Sequence, residues 1–479
     1  MLKKILLFAL VIIVLLIAVV LFNTFTFKSI QQNITASTAP EFSAAALKHF
    51  QEAIHFKTIS YGDTAKLDSS QFNGFHRFLE KTYPTFHQKT TKQIIKGYSL
   101  LYKWVGKNAS LKPYIIMAHQ DVVPIEEASR KLWTVEPFEG VVKENFIWGR
   151  GTTDDKINLI SIMEAAEKLV KENFQPERTI YFAFGHDEEV GGTGAIAIAK
   201  WFKENNIEAE LVIDEGGIIT KEKLPGITKP VALIGNAEKG YFSLELSVEL
   251  SGGHSSMPAN ETAIDILTKA LVKLRAKPFE PKLSESVQGM MKSLGPEMPF
   301  VQKMAFANPW LFKSLIIGTY EKSAASNAMI RTTLVPTIIN AGIKDNVIPT
   351  VAKATINMRL LPGDKSEVIK EQLKKIIDDD RVKFKNLLVN EASNVTPYTG
   401  EAFNHVSSTI KQSLPDVLST PFLMIGATDS RHFQEVSPNI IKFSPMIDPI
   451  GFHGIDERVS LESFKTSIFF FENLMRNTK

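Results

Sequence analysis

Cysteine is absent from the 479 residues. That excludes disulfides, thiol nucleophiles and thiolate metal sites, so any metal must be held by His, Asp and Glu. A large charge excess is absent too. The formal net charge is +3, which gives no reason to expect nucleic acid as a partner. No HExxH, GxGxxG or GxSxG motif occurs, which removes the zincin, dinucleotide-binding and serine-hydrolase readings. There is no internal repeat and no low-complexity segment. Hydrophobic residues make up 44% and charged residues 22%, ordinary for a globular chain, and the length suffices for two domains with appendages.

What is present begins with a membrane signal. Lys3 and Lys4 precede an unbroken apolar run from Ile5 to Phe22. A signal-peptide core is usually about 7–15 residues and a span needs roughly 18 or more, so the run reads as an uncleaved signal-anchor. The lysines then stay cytoplasmic and the remainder lies on the non-cytoplasmic side. The alternative is a long cleaved signal peptide and a secreted protein. Ser29 to Pro40 reads as a short polar linker.

Beyond the linker, apolar strand-like runs alternate with helical patterns. Glu41–Tyr83 reads as two helices, Gly97–Val105 and Pro113–Ala118 as strands, and Ile157–Lys171 as a helix. A strand opening at Tyr181, a helix Ala195–Asn205 and the strand LVIDEGG follow. This alternation predicts an α/β domain with a largely parallel sheet. From Lys239 the rhythm changes: YFSLELSVEL alternates strictly, as a half-buried antiparallel strand does. A helix over Glu261–Arg275, strands over Ala328–Thr337 and Val351–Leu360, a helix Lys365–Ile377 and a strand Val382–Val389 make β-α-β-β-α-β, a ferredoxin-like unit. Pro278–Ile317 is an extra stretch of short helices. The α/β character resumes near Pro397. The expected division is an anchor and linker over 1–40, a catalytic domain over 41–240 and 396–479, and an inserted domain over 241–395.

The chemistry gathers at strand ends, where open α/β sheets place their functional groups. His119 and Asp121 form an HxD, in which a carboxylate orients a metal-bound imidazole. Asp154 and Asp155 lie between a glycine turn and a helix, a position shared by helix caps. YFAFGHDEEVGG ends in the adjacent carboxylates Glu188 and Glu189. Neighbouring residues on an extended segment point opposite ways, so one can bind metal while the other handles a proton. Asp214 closes another strand, and His453 sits in GFHGIDERV with a glycine after it. Together these fit a pair of divalent, zinc-like ions bridged by a carboxylate and a water.

At this point the chain resembles the M20 family of metallopeptidases, and within it the carboxypeptidase S and N-fatty-acyl-amino-acid hydrolase branch. The matching motifs are AHQDVVP, WGRGTTDDK, FGHDEEVGG, VIDEGG, ELSGGHSSMP, DNVIP, GATDSRHF and GFHGIDER, in order from about Ala118 to Arg458. The resemblance implies a dinuclear-zinc exopeptidase-like catalytic domain with an inserted lid. It implies two Zn2+ or other divalent ions, with His119, Glu189, Asp214 and His453 as terminal ligands and Asp154 as the bridge. The Asp154–Asp155 peptide is then cis. Asp121 orients His119, and Glu188 is the general base. His254 stabilises the tetrahedral intermediate from the inserted domain. Arg359, assisted by Asn346, holds the substrate's free α-carboxylate, and the Gly426–His432 stretch lines the pocket.

The implied reaction is hydrolysis of an amide next to a free carboxylate, on a peptide or an N-acyl amino acid. Competing readings are an aminopeptidase or other deacylase of the same family, and a non-catalytic tethered binding protein. Retention of Glu188 beside the full ligand set argues against the last, since binding alone needs no base. In several family members the inserted domain also forms a homodimer.

Overall fold

Strands buried at every position form the middle of the molecule. Tyr114–His119 and Ile180–Gly185 are wholly buried, as strands covered by helices on both faces must be. The computed structural model describes residues 1–38 and 43–478; the boundary expected between 40 and 41 lies outside them. The main sheet has nine strands. Its path runs Thr91–Ile95, Ser99–Trp104, Ile180–Gly185, Tyr114–His119, Leu211–Asp214, Ile440–Lys442, Val231–Glu238 and Leu418–Met424, with Ile219–Thr220 paired to Val231–Glu238. The central pairs are parallel.

Alternate residues of each strand enter different cores. Phe182 and Phe184 pack with Phe86 and Ile160, while Tyr181 and Ala183 pack with Ile198 and Phe202. Burying a large apolar side chain contributes about 1.5–3 kcal/mol, so two such cores fix the strands on both faces. The register sets His119 opposite Gly185. His119 and the Glu188–Glu189 turn therefore leave the sheet at the same edge.

A second sheet, antiparallel and four-stranded, takes the order Thr333–Ala341, Val351–Leu360, Gly240–Glu249, Lys383–Asn390. Gly240–Glu249 buries Phe242, Leu244, Leu246 and Val248 in a core with residues of helices Ala263–Ala276 and Ser366–Ile377. Thr262 and Asp265 close the start of the first helix with a reciprocal capping box. This is the β-α-β-β-α-β order read from the sequence. The chain leaves the main sheet at Glu238 and returns beside it. Ser393 N–H donates to the Glu238 carbonyl at 3.1 Å, and Thr396 N–H to the Asn236 carbonyl at 2.8 Å.

Some elements differ from expectation. The run Ala328–Thr337 is split: Ser323 caps a helix, Ala324–Ile330, and the strand begins at Thr333. The stretch after Ser29 has no regular structure, yet it is not free of the body. Gln31 Nε2 donates to the carbonyls of Ser293 (3.1 Å) and Ser419 (2.9 Å), and Lys411 Nζ donates to the Gln32 carbonyl at 3.1 Å. The N-terminal run is one helix, Leu2–Thr26, exposed up to Val19; Val20 and Thr24 are buried and Leu21 and Asn23 half-buried.

Candidate metal centre

His119 ends its strand and is buried. Its Nδ1 lies 3.0 Å from the Asp121 carbonyl and 3.3 Å from the Asp121 carboxylate. That carboxylate accepts from Ser60 Oγ at 2.5 Å and from the N–H groups of Glu188 (3.1 Å) and Glu189 (3.2 Å). One side chain thus orients the imidazole and pins the acidic turn. Burial pushes the Asp121 carboxyl up, but His119 and these donors outweigh it and hold it below its ordinary value.

Asp154 is the meeting point. Its Oδ1 lies 2.8 Å from His119 Nε2 and its Oδ2 lies 2.9 Å from His453 Nε2. Glu189 Oε2 is 3.1 Å from the same His453 nitrogen, and Glu215 Oε1 is 3.3 Å from His119 Nε2. His119, Asp154 and Glu189 offer ligand atoms within 4.8 Å of one another, and so do His119, Asp155 and Glu215. The Asp154–Asp155 peptide is cis. Asp155 is braced by Asn158 Nδ2, which donates to it at 2.6 Å.

A buried clamp joins the loops bearing Asp154 and His453. Arg150 Nη1 donates to Glu457 Oε2 at 2.5 Å, and Glu457 Oε1 accepts from Thr153 N–H (2.8 Å) and Oγ1 (2.9 Å). Arg150 Nη2 donates to the Gly454 carbonyl at 3.2 Å. Nothing in the spacing of GRGTTDDK and GFHGIDER, some three hundred residues apart in the chain, reveals this pairing.

Negative charge is in excess. Burial, and then the neighbouring Asp429, pushes the Glu188 carboxyl well above its usual range. Burial and Asp154 push Glu215 up to about 8, and burial raises Glu189. Hydrogen bonds to Asp154 and Glu189 lift His453 to about 10. Burial opposes charge on His119, but Glu215, Asp121 and Asp154 outweigh it and raise its pKa well above the usual value. Asp154 itself is held low, since the two imidazoles overcome its burial. Each imidazole therefore serves as the counter-charge for one oxygen of Asp154.

This donor set fits divalent cations: imidazoles and carboxylates with no thiolate. Among the described residues Glu189 Oε1 and both oxygens of Asp429 are buried without a hydrogen-bond partner. A buried carboxylate oxygen in that condition calls for a cation. Metal loading needs neutral imidazoles and ionised carboxylates, so it is coupled to proton release.

The remaining expected residues are placed unevenly. Among the described residues Asp214 forms no ion pair with a histidine: its Oδ1 accepts from Glu215 N–H at 3.0 Å and its Oδ2 from Ser430 N–H at 2.8 Å. Its neighbour Glu215 carries the carboxylate that meets His119, because consecutive residues leaving a strand point opposite ways. The acid beside His119 is thus one residue later than the Asp214 expected there. VIDEGG holds both acids, and the sequence offers no other signal between them.

Arg359 lies opposite Tyr241 in the second sheet, its guanidinium 4.4 Å over that ring. Among the described residues it pairs with no carboxylate, and burial together with nearby Arg431 lowers its pKa. His254 and Asn346 are exposed at a small pairing of Gly253–His254 with Val347–Ile348. His254 Nδ1 meets Ser256 Oγ at 2.8 Å, and the Asn346 carbonyl accepts from Ser255 N–H at 3.2 Å. Neither hydrogen-bonds to the metal centre among the described residues. Gly426 is exposed, and a Cβ there would meet nothing within 4 Å. The acid of GATDSRHF, Asp429, expected only among the pocket-lining residues Gly426–His432, is buried beside the centre. A Cβ on Gly192 would lie 2.0 Å from its Oδ1, which requires the glycine.

Fold and site together define a metallohydrolase. Residues 115–477 match the description Peptidase family M20/M25/M40, and the chain belongs to that family. It is an enzyme of the M20 metallo-carboxypeptidase and amidohydrolase kind. It is 40% identical to the probable carboxypeptidase S-like 2 of Dictyostelium discoideum, over 89% of this chain and 84% of that one. It is 34% identical to the human N-fatty-acyl-amino acid synthase/hydrolase PM20D1, over 93% and 90%. The fold resembles the M20 family metallo-carboxypeptidase Sso-CP2 of Sulfolobus solfataricus, with a TM-score of 0.67, 17% identity, and 91% and 99% of the two chains covered.

Proposed function

We propose that the protein is a membrane-tethered, dinuclear zinc-type hydrolase that cleaves the amide bond next to a free α-carboxylate. The observation that carries this reading is Asp154, whose two oxygens each meet the Nε2 of a different histidine. A carboxylate shared in that way suits a bridge between two cations. His119 and Glu215 would hold one ion, and His453 and Glu189 the other. Ions of this kind polarise a carbonyl oxygen and lower the pKa of water.

The chain's own residues supply the rest. The Glu188 carboxylate accepts no protein hydrogen bond among the described residues, while its backbone is pinned by Asp121. It is free to take the proton of the attacking water and pass it to the leaving nitrogen. Arg359, unpaired and stacked on Tyr241, offers a planar fork to the substrate's carboxylate. His254 and Asn346 join the substrate when the second-sheet domain closes over the centre as a lid, hinging near Lys239 and Pro397. The substrates are N-acyl amino acids or peptides with a free C-terminus; the two groups named for the relatives differ in this choice. The N-terminal helix is the anchor, with the body on the non-cytoplasmic side; a mature N-terminus beyond Lys28 would instead mark a secreted protein.

The test is hydrolysis of N-acyl amino acids and of dipeptides by protein stripped with a chelator and then reloaded with zinc. Activity lost on stripping and regained with zinc supports the reading. Activity indifferent to the chelator overturns it.

A further inference from the structure

The main core and the second-sheet core leave one group of helices with an unusual outer surface. Helices Phe300–Ala307 and Pro309–Tyr320 form a hairpin beside Glu285–Leu294. Its inner face closes a small core of Val287, Met291, Ile316, Met329 and Ile330. Its outer face exposes Phe300, Val301, Trp310, Leu311 and Leu315; Val301, Trp310 and Leu315 are 66%, 58% and 60% exposed. Apolar groups so close together are not an ordinary soluble surface.

What borders this face identifies its occupant. The helix Leu2–Thr26 is long and apolar enough to cross a membrane and is almost wholly unburied in the body. Among the described residues its buried positions, Val20 and Thr24, lie in its last turns, and these turns touch this hairpin. Asn308 Nδ2 donates to the Val20 carbonyl at 3.1 Å, and Asn23 Nδ2 donates to Asn308 Oδ1 at 2.9 Å. The Phe25 and Phe300 rings lie 6.0 Å apart. Gln31 and Gln32 then fasten the following segment to the body, so the helix leaves it in a set direction. At about 1.5 Å per residue, Leu2–Val20 is about 27 Å long, close to the roughly 30 Å of a bilayer's hydrocarbon. With the span in place, its contact with the hairpin falls at the level where acyl chains give way to headgroups.

We infer that the outer face of the Phe300–Tyr320 hairpin is itself seated in that boundary, and that its partner is the phospholipid bilayer. The inference rests on the anchor reading of the N-terminal helix. Trp310 suits the interface, where an apolar ring with one polar edge is favoured. Lys303 and Lys313 lie on the same two helices, and their long apolar stems let the charged ends reach headgroups. The body is thus mounted on the membrane at two adjoining places, a span and an interfacial hairpin, and does not swing on a tether. The same helical unit reaches the hinge: Lys239 Nζ donates to the carbonyls of Ala328 and Arg331, both at 2.8 Å.

Because the chain has no cysteine, single-cysteine variants of the full-length protein test this cleanly. Val301→Cys, Leu311→Cys and Leu315→Cys would each carry an environment-sensitive fluorophore after reconstitution into phosphatidylcholine vesicles. Ile13→Cys reports on the span, and Val272→Cys, exposed on a helix of the second sheet, reports on water. The expected result is several-fold weaker quenching by aqueous iodide at 301, 311 and 315 than at 272, with strong quenching by shallow nitroxide lipids. Protection from iodide without quenching by lipid would mean that protein, such as a second copy, covers the face, and overturns the inference. Labels at 301, 311 and 315 that behave like 272, with 13 embedded, overturn it while leaving the anchor standing. A water-exposed label at 13 removes the anchor, and the inference with it.

Discussion

Glu188 and Glu189 are adjacent but differently engaged. Glu189 meets His453 at 3.1 Å, whereas the Glu188 side chain makes no protein hydrogen bond among the described residues. Glu188→Gln keeps the shape but cannot take a proton. It should lose about 10²–10⁴ in kcat while keeping its metal, since that is what general-base catalysis is typically worth. Glu189→Gln should lose metal instead. Turnover and metal content measured on both variants check the pair; the reverse pattern would swap the roles. The same comparison separates Glu215 from Asp214. Glu215→Gln should lower metal content more than Asp214→Asn, whose carboxylate is spent on Ser430 and its own neighbour. The acidic pairs were legible in the sequence, but the orientation within VIDEGG was not. One residue of shift turns a side chain to the other side of an extended backbone, and only the contact with His119 decides it.

At the scale of elements, the buried Arg150–Glu457 pair ties the loop before the helix Lys156–Lys171 to the loop carrying His453. Removing one partner of a buried ion pair costs about 3–5 kcal/mol. Glu457→Ala should therefore lower the unfolding free energy by that order and reduce metal content, although Glu457 touches no histidine nitrogen. Denaturant unfolding and metal analysis of the purified variant check both parts. An unchanged metal content would show that the loops hold their places without the clamp. The strands bearing His119 and the Glu188 turn were readable because a doubly covered strand must be apolar throughout. The clamp was not, because its partners come together only in the folded chain. The split of Ala328–Thr337 was hidden for a local reason: Ser323, ahead of that run, caps a short helix that extends into its start.

At the scale of the whole molecule, Arg359 sits in the second sheet while His119 ends a strand of the first and His453 lies on a loop beside it. If the lid carries the carboxylate clamp, Arg359→Ala should weaken hydrolysis of acids far more than of the matching amides. Steady-state kinetics on both substrates check this, and equal losses would remove the clamp role. The division into two sheets was legible from the change of periodicity at Lys239. The apolar outer face near Trp310 was not, since short helices with apolar residues on several sides look the same whether buried or exposed. All of this depends on one centre with Asp154 between two cations. Anomalous scattering from zinc-loaded crystals tests that most directly. Two peaks are expected, one on either side of the Asp154 carboxylate, the first beside His119 and Glu215 and the second beside His453 and Glu189. A single peak, or an ion held by Asp214 with Glu215 turned away, would contradict it.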